Sequence, residues 1–405
     1  MDILGKGILA QVGLGESIWG QIISIIMFFI FIFFYQRIMV TQILFKLEKS
    51  AELLEGMSTK AEMTVLKKIN KRPNSKLKNS VKNFLEFFVI SPVDMDPYGI
   101  IRKLEHLITL EKERFKYFVG QITPGANPEE QANIMMGLSG AMSLYQISKL
   151  VRHFVELIKK TKSINLAMIL QMQLPLIEMF GKALLRGTEA LSNGWPVGDT
   201  IGAFIAADLT GDSKVIEVDD ETVVARKKYK NKDVIIVKAK GPGGRTGNPG
   251  KIVENICNKE KIAKIITIDA ALKLEGEKTG SIAEGVGVAI GGIGTDKSYV
   301  EEVAVKKKLP LDTIIIKMSQ EEAIMPMKKG IYDSLPKVMN VLNETMTRTK
   351  EKGKIIIVGV GNTSGVGNDR KGIEKSKKII NENIKKMKAL EKEKKKRFNF
   401  FSQWS

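Results

Sequence analysis

The pattern of apolar and polar positions divides the chain into an uncharged run, a long helical region and a region of short alternating elements. Residues 17–36 read SIWGQIISIIMFFIFIFFYQ and carry no charge. A helix of about 20 residues crosses the hydrocarbon core of a membrane. A signal peptide would end in small residues, whereas bulky residues end this run. The run therefore predicts one uncleaved transmembrane helix near the N-terminus, with a buried core helix as the alternative.

Basic residues are concentrated after this run. Lys and Arg recur from Arg37 to Arg72, whereas residues 1–16 contain a single Lys. Because basic flanks stay on the cytoplasmic side, residues 1–16 are expected outside the cell membrane. Nearly all of the chain is then expected in the cytoplasm, held by a single pass.

Helical periodicity continues in residues 37–83, a basic juxtamembrane segment and linker. Its apolar side chains recur about three, four or seven positions apart: Ile43, Leu47, Leu54, Met57, Ala61 and Leu66. A helix with this pattern either pairs with a second copy of itself or lies on its own domain. Pro73, in a polar stretch, is expected to end it.

A second helical region covers residues 84–192. Pro97 is suited to an early helical position, and Asn127 is placed to cap a helix that begins at Pro128. Pro175 predicts a kink in the last long helix.

After residue 193 the pattern changes to short β-rich runs that alternate with helices. Six runs predict strands: VVARKKY, DVIIVKA, KIITIDA, VGVAIGG, DTIIIKM and KIIIVGVG. Several are continuously apolar, as strands covered on both faces of a parallel sheet are. Residues 193–370 therefore predict an α/β domain with a mostly parallel central sheet.

Composition narrows the classes of partner. The formal net charge of +19 suits an acidic membrane face or nucleic acid. The single cysteine, Cys257, excludes an intrachain disulfide, and two histidines argue against a His-rich metal site. No metal is predicted, and no cofactor is indicated.

The tail, residues 371–405, holds twelve Lys and Arg against four Glu and ends in aromatic residues: Phe398, Phe400, Phe401 and Trp404. A basic helix followed by aromatics is suited to anionic lipid, although a solvated charged face is the simpler interpretation. RNA recruitment is the third interpretation, but nucleic acid is not expected as a partner because no recognised nucleic-acid module accompanies the charge.

Two acids are candidates for a reactive site. Asp199 stands before the apolar helix TIGAFIAADL, where it is either a helix cap or a reactive group. Asp269 lies near the end of the buried strand KIITIDA, and catalytic groups of open α/β sheets lie at the carboxyl ends of strands. A carboxylate there costs free energy unless it is solvated, hydrogen-bonded or paired.

Glycine-rich turns follow several predicted strands. In KAKGPGGRTGNPGKI, backbone amides with Lys240, Gly243, Gly244 and Arg245 are predicted to bind an anion, with a flexible surface loop as the alternative. The turn VGVGNTSGVGN is only weak support for a dinucleotide site.

The surroundings of both acids resemble the germination proteases, and GDTIGAFIAADL also resembles a helix start in the hydrogenase maturation peptidases. IITIDAALKLEGEKTGSI is similar to a strand of the first family, and GVGVAIGGIGTDKSYVEE to its glycine-rich loop. We add Gly291 and Gly292 of that loop to the predicted anion-binding set. The resemblance implies that Asp199 and Asp269 are paired functional acids that hydrolyse a peptide or amide bond.

Two departures from those families stand out. Ala203 occupies a position where the relatives usually have proline, and the α/β region contains no histidine. Taken whole, the chain resembles a family of archaeal membrane proteins known as a domain of unknown function (number fifteen-twelve), which implies a location but no activity.

Two hypotheses for function follow. The first is a membrane-anchored cytoplasmic hydrolase with a peptide substrate and paired aspartates. The second is a non-catalytic membrane-anchored protein that binds a ligand or acts as a scaffold. Assembly of the chain into a homo-oligomer is compatible with both.

Overall fold

The computed structural model of the chain describes residues 18–92, 99–292 and 294–402, among which the N-terminal region is helical. Five helices make it up: α1 (Ile18–Ile69), α2 (Ser75–Phe84), α3 (Ile100–Ile122), α4 (Pro128–Thr161) and α5 (Ile164–Ser192). α1 ends before Pro73, as predicted. The Asn127 side chain accepts the Glu130 backbone N–H at 2.9 Å, so its predicted cap is confirmed. Pro97 and residues 1–16 lie outside the described residues.

The chain divides into two units, each with its own contacts. The smaller unit combines Met1–Gly56 with Ile147–Glu178, and the larger unit combines Met57–Gln146 with Met179–Ser405. The six apolar positions predicted along α1 are all buried: Ile43, Leu47 and Leu54 in the smaller unit, and Met57, Ala61 and Leu66 in the larger. The sequence allowed this helix either to pair with a second copy or to lie on its own domain. The structure shows that it packs within its own chain.

The predicted span at residues 17–36 is helical where it is described, and those of its apolar side chains that the structure describes are exposed. They include Ile25, Phe28, Phe29 and Phe34. Its fully described part is the shorter apolar stretch Gln21–Phe31. Among the described residues, the helix that meets the length and composition of a membrane span is α5, although a core helix of a soluble protein passes the same test.

A seven-stranded sheet forms the centre of the larger unit. Its strands are β1 (Val215–Glu217), β2 (Thr222–Tyr229), β3 (Lys232–Ala239), β4 (Ile262–Leu272), β5 (Ile282–Val286), β6 (Leu311–Met318) and β7 (Lys354–Gly359). The spatial order is β1-β2-β3-β7-β4-β6-β5. The four strands β3, β7, β4 and β6 are parallel, whereas β1, β2 and β5 join antiparallel. The sheet is thus mixed rather than mostly parallel.

Backbone conformation explains two differences between the observed strands and the predicted ones. β2 and β3 form a hairpin through Lys230 and Asn231, which both have positive φ, as a tight two-residue turn requires. The run VGVAIGG is mostly a loop, because β5 ends at Val286 and the glycines that follow include positive φ at Gly287 and Gly292. The short edge strand β1 was not predicted.

Helices cover both faces of the sheet. α6 (Ile201–Thr210), α11 (Leu335–Thr347) and the start of α12 (Arg370–Ser402) pack on one face, while α7 (Pro249–Lys259) and α8 (Thr295–Lys307) pack on the other. Alternate residues of each central strand enter the two cores, as the period of a strand requires. Two short helices, α9 (Gln320–Ile324) and α10 (Lys329–Tyr332), follow β6.

The basic tail begins as part of this domain. Ile373, Ile380 and Ile384 of α12 are buried in the same core as α6. The start of the predicted tail is therefore a packed helix, while the side chains of the terminal aromatics lie outside the described residues.

Candidate active site

The start of α6 is pressed against the carboxyl ends of two parallel strands. A Cβ atom at Gly202 would lie 2.3 Å from the carbonyl oxygens of both Ile268 in β4 and Val360 after β7. Only glycine leaves room for this approach. The 3₁₀ turn Gly198–Thr200, which precedes α6, is thereby held at the carboxyl edge of the sheet.

Asp199 belongs to this turn but does not cap its own helix. Its Oδ2 accepts the backbone N–H of Asn362 at 2.8 Å, in the loop after β7. Thr200 holds the cap position of α6, and no side-chain hydrogen bond caps that helix. The interpretation of Asp199 as a helix cap is therefore wrong, because its carboxylate binds a neighbouring loop.

Asp269 lies within β4, three residues before the strand ends, and is only 5% exposed. Its Oδ1 accepts the backbone N–H of Ala270 at 2.7 Å, and its Oδ2 accepts that of Gly291 at 3.1 Å. The glycine-rich loop after β5 therefore covers this carboxyl group. The predicted anion donor Gly291 binds the carboxyl group of Asp269, while Gly292 beside it is exposed.

The two acids influence each other electrostatically. Burial raises the pKa of Asp199, although the Asn362 amide opposes this. Burial and then the negative charge of Asp199 raise the pKa of Asp269 to about 8, against the two amides that favour its ionised form. Burial favours the protonated form of both carboxyl groups, and the like charge of Asp199 adds to this at Asp269. Two neighbouring acids with perturbed pKa values are the arrangement that general acid–base chemistry uses.

The loop after β3 holds an anion that belongs to the chain itself. Glu129 at the start of α4 accepts the backbone N–H of Gly243 at 2.5 Å and the Arg245 guanidinium at 2.6 Å. Gly244 donates to the side chain of Asn133 at 2.9 Å. The prediction that this loop binds a separate anion is thus wrong for these groups, since a carboxylate 114 residues away in the chain occupies the position.

Lys240, the remaining member of that predicted set, points to another internal acid. Its ammonium group lies 2.7 Å from the Glu217 carboxylate at the sheet edge. This pair is a structural contact of the β1 region.

Lys238 is a buried group that the sequence did not single out. Its Nζ donates to the carbonyl oxygen of Ala239 at 2.7 Å and to Asn368 Oδ1 at 2.8 Å. Burial lowers the pKa of Lys238 to about 7. In the sequence, the sign of a buried cation at this position is a lysine inside the apolar run DVIIVKA.

A cavity of about 400 Å³ lies beside Asn368, the side chain to which Lys238 donates. Glycines and amides line it, among them Asn133, Gly241, Gly365, Gly367 and Asn368. Neither Asp199 nor Asp269 lines this cavity, so the acid pair and the cavity are separate features of the same domain.

These features define a helical N-terminal region followed by an α/β domain with a buried aspartate pair at the carboxyl edge of its sheet. The family model described as "Protein of unknown function (DUF1512) N-terminal domain" matches residues 21–194, and that described as "Domain of unknown function (DUF1512) C-terminal" matches residues 197–367. The chain belongs to the DUF1512 family, as its sequence predicted. No curated protein and no solved structure matches the chain.

Proposed function

We propose that the chain is a membrane-anchored hydrolase that cleaves a peptide or amide bond through Asp199 and Asp269. The observation that carries this proposal is the placement of both acids. They reach the carboxyl edge of the parallel strands from different elements and have raised pKa values. Such perturbed groups are concentrated at catalytic sites.

The chemistry requires one acid in each protonation state. Asp199, ionised, takes a proton from water as the water oxygen bonds to the carbonyl carbon of the substrate. Asp269, protonated, gives its proton to the nitrogen as the C–N bond breaks. A proton passed from Asp199 to Asp269 then restores the pair.

Access to the pair is through the glycine-rich loop that follows β5. Asp269 is nearly buried, Asp199 is partly exposed, and Gly291 lies over the Asp269 carboxyl group. A substrate carbonyl would displace Gly291 from that carboxyl group. Gly287 and Gly292, both with positive φ, are suited to the ends of such a moving segment.

The anchor in this proposal is the apolar run at residues 17–36, with the N-terminus outside and the α/β domain in the cytoplasm. Its support is the exposure of large apolar side chains such as Phe29, which is 56% exposed. An exposed apolar surface of this kind is typical of a membrane or protein interface. Basic residues of α12 would add an attraction to anionic lipid.

The test uses the full chain in lipid nanodiscs and casein labelled with a self-quenched dye. We expect release of fluorescent fragments by the wild type and none by Asp199→Asn or Asp269→Asn. Asp233→Asn, an exposed acid at the start of β3, is the matched control and should retain full activity. Equal hydrolysis by wild type and both site variants would contradict the proposal, provided that near-UV circular dichroism shows all four proteins folded.

A second candidate function is binding of a small polar ligand without catalysis. The cavity beside Asn368 favours it, because glycine backbone and amide side chains line about 400 Å³. In that case no casein is cleaved, and Asn193→Trp, which adds bulk at an exposed position of the cavity lining, should alter ligand binding while Asp269→Asn should not.

A further inference from the structure

The smaller unit presents an apolar helix face that its own packing does not cover. Residues 163–177 carry no charge. One side of α5 is buried through Ala167, Leu170 and Leu174. The other side exposes four large apolar residues: Met168, Ile169, Met172 and Leu176, of which Met172 is 70% exposed. We refer to these four as the α5 face.

Lysines mark the turn between α4 and α5. Lys159 and Lys160 lie in the last turn of α4, which ends at Thr161, and Lys162 lies in the turn with positive φ. Lys160 and Lys162 are exposed. Apolar side chains beside exposed lysines are suited to the interface of an anionic membrane.

Ion pairs fix where this turn lies along α1. Arg152 of α4 binds Glu55 at 2.7 Å, and Lys159 binds Glu48 at 2.9 Å. As α4 advances, its partners in α1 therefore move back toward the N-terminus, so the two helices are antiparallel. The turn then lies beside the residues of α1 that precede Glu48.

The remaining distance to the apolar run is short. Glu48 lies twelve positions after Gln36, which is about 18 Å of helix. α5 turns back from there, and Glu178 accepts a hydrogen bond from Ser50 at 2.7 Å. Glu178 lies 14 positions after Ile164, which is about 21 Å of helix, so the start of α5 lies beside the part of α1 that follows the run.

We propose that the start of the α5 face, at Met168 and Ile169, lies in the cytoplasmic interface of the membrane, where Lys160 and Lys162 bind the headgroups of anionic lipids. This inference rests on the proposed anchoring of the chain by residues 17–36. Lipid is favoured over a second copy of the chain because a symmetric contact would bring these lysines close to their own copies. The exposed apolar run of α1 belongs to the same unit, so both apolar surfaces are suited to contact with lipid.

The test is a depth measurement on the full chain in nanodiscs. The native cysteine is removed by Cys257→Ala, and a nitrobenzoxadiazole dye is attached to Met168→Cys, with Phe29→Cys and Asp233→Cys as references for the apolar run and the exposed domain surface. Quenching by brominated lipids reports contact with acyl chains. We expect quenching at positions 168 and 29 and none at 233.

Three outcomes would overturn the inference. Quenching at position 29 without quenching at position 168 would leave the anchor intact and refute contact of the start of the α5 face with lipid. A dye at 168 that is shielded from water but unquenched would assign the face to a second copy of the chain. No quenching at either position would refute the anchoring itself.

A charge variant tests the headgroup specificity. Lys160→Glu with Lys162→Glu should abolish the increase in quenching at position 168 that phosphatidylglycerol produces over phosphatidylcholine alone. Lys350→Glu with Lys352→Glu, which changes two exposed lysines of the larger unit, should preserve it. An equal response of both double variants to phosphatidylglycerol would contradict the role of the turn lysines.

Discussion

Replacing Asp269 by Asn is expected to stabilise the domain at neutral pH. A carboxyl group with a raised folded-state pKa keeps its proton where the unfolded chain has lost it. The folded state then binds more protons than the unfolded state between pH 3.8 and about 8. Stability therefore falls as pH rises through this window and stays low above it.

The size of the expected gain in stability follows from the width of that pH range. At pH 7 about three units separate the pH from the ordinary pKa of 3.8, and each unit is worth about 1.4 kcal/mol, which gives about 4 kcal/mol as an upper limit. An asparagine side chain has one acceptor oxygen, whereas the Asp269 carboxyl group accepts two backbone N–H groups, those of Ala270 and Gly291. The N–H group left without an acceptor costs about 1–2 kcal/mol. A net gain of about 2–3 kcal/mol remains at pH 7, and almost none at about pH 5, where only one unit of the window has been crossed.

Urea unfolding of the full chain in detergent, followed by the fluorescence of Trp195 and the other tryptophans, measures this difference. The gain for Asp269→Asn should grow by about 3 kcal/mol between pH 5 and pH 7, with the slope against urea unchanged. Asp233→Asn, which removes an exposed carboxyl group, is the control for the loss of one negative charge. A constant loss of stability at both pH values would refute the reasoning, since it would mean that an ionised Asp269 is a structural acceptor.

Three further substitutions test the framework of the site by the same unfolding assay. Gly202→Ala should cost about 2–3 kcal/mol or prevent folding, because its Cβ would collide with two strand carbonyls. Glu129→Gln should cost about 3 kcal/mol, since it leaves the buried Arg245 cation without its partner. Gly361→Ala should cost about 1–3 kcal/mol from its φ of +110° alone and should also reduce hydrolysis, because the new Cβ would strike the Asp199 backbone. A change below about 0.5 kcal/mol in any of them would contradict the contact described.

The central strands and the placement of Asp269 near the carboxyl end of one of them could be read from the sequence. DVIIVKA and KIITIDA are continuous apolar runs, and the carboxyl ends of parallel strands meet at one edge. The mixed character of the sheet could not be read from those runs. It depends on hairpins such as that at Lys230 and Asn231, whose positive φ values lysine rarely adopts.

The loop after β3 was predicted to bind a separate anion, and in the structure it binds a carboxylate of the chain itself. A glycine-rich loop with arginine does hold a carboxylate, but the carboxylate is that of Glu129. Sequence spacing gives no signal for a partner so distant in the chain. Lys238 was missed for a related reason, because its side-chain hydrogen-bond partner, Asn368, comes from the far end of the domain.

The most direct measurement of the central claim is a carbon-13 NMR titration of the aspartate carboxyl groups in the full chain. A proton held by the pair predicts one carboxyl signal with a midpoint near pH 8, absent in Asp269→Asn and shifted to lower pH in Asp199→Asn, where the like charge is gone. If every aspartate titrates below about pH 5, or the high midpoint is unchanged in Asp199→Asn, the two acids do not act as a pair.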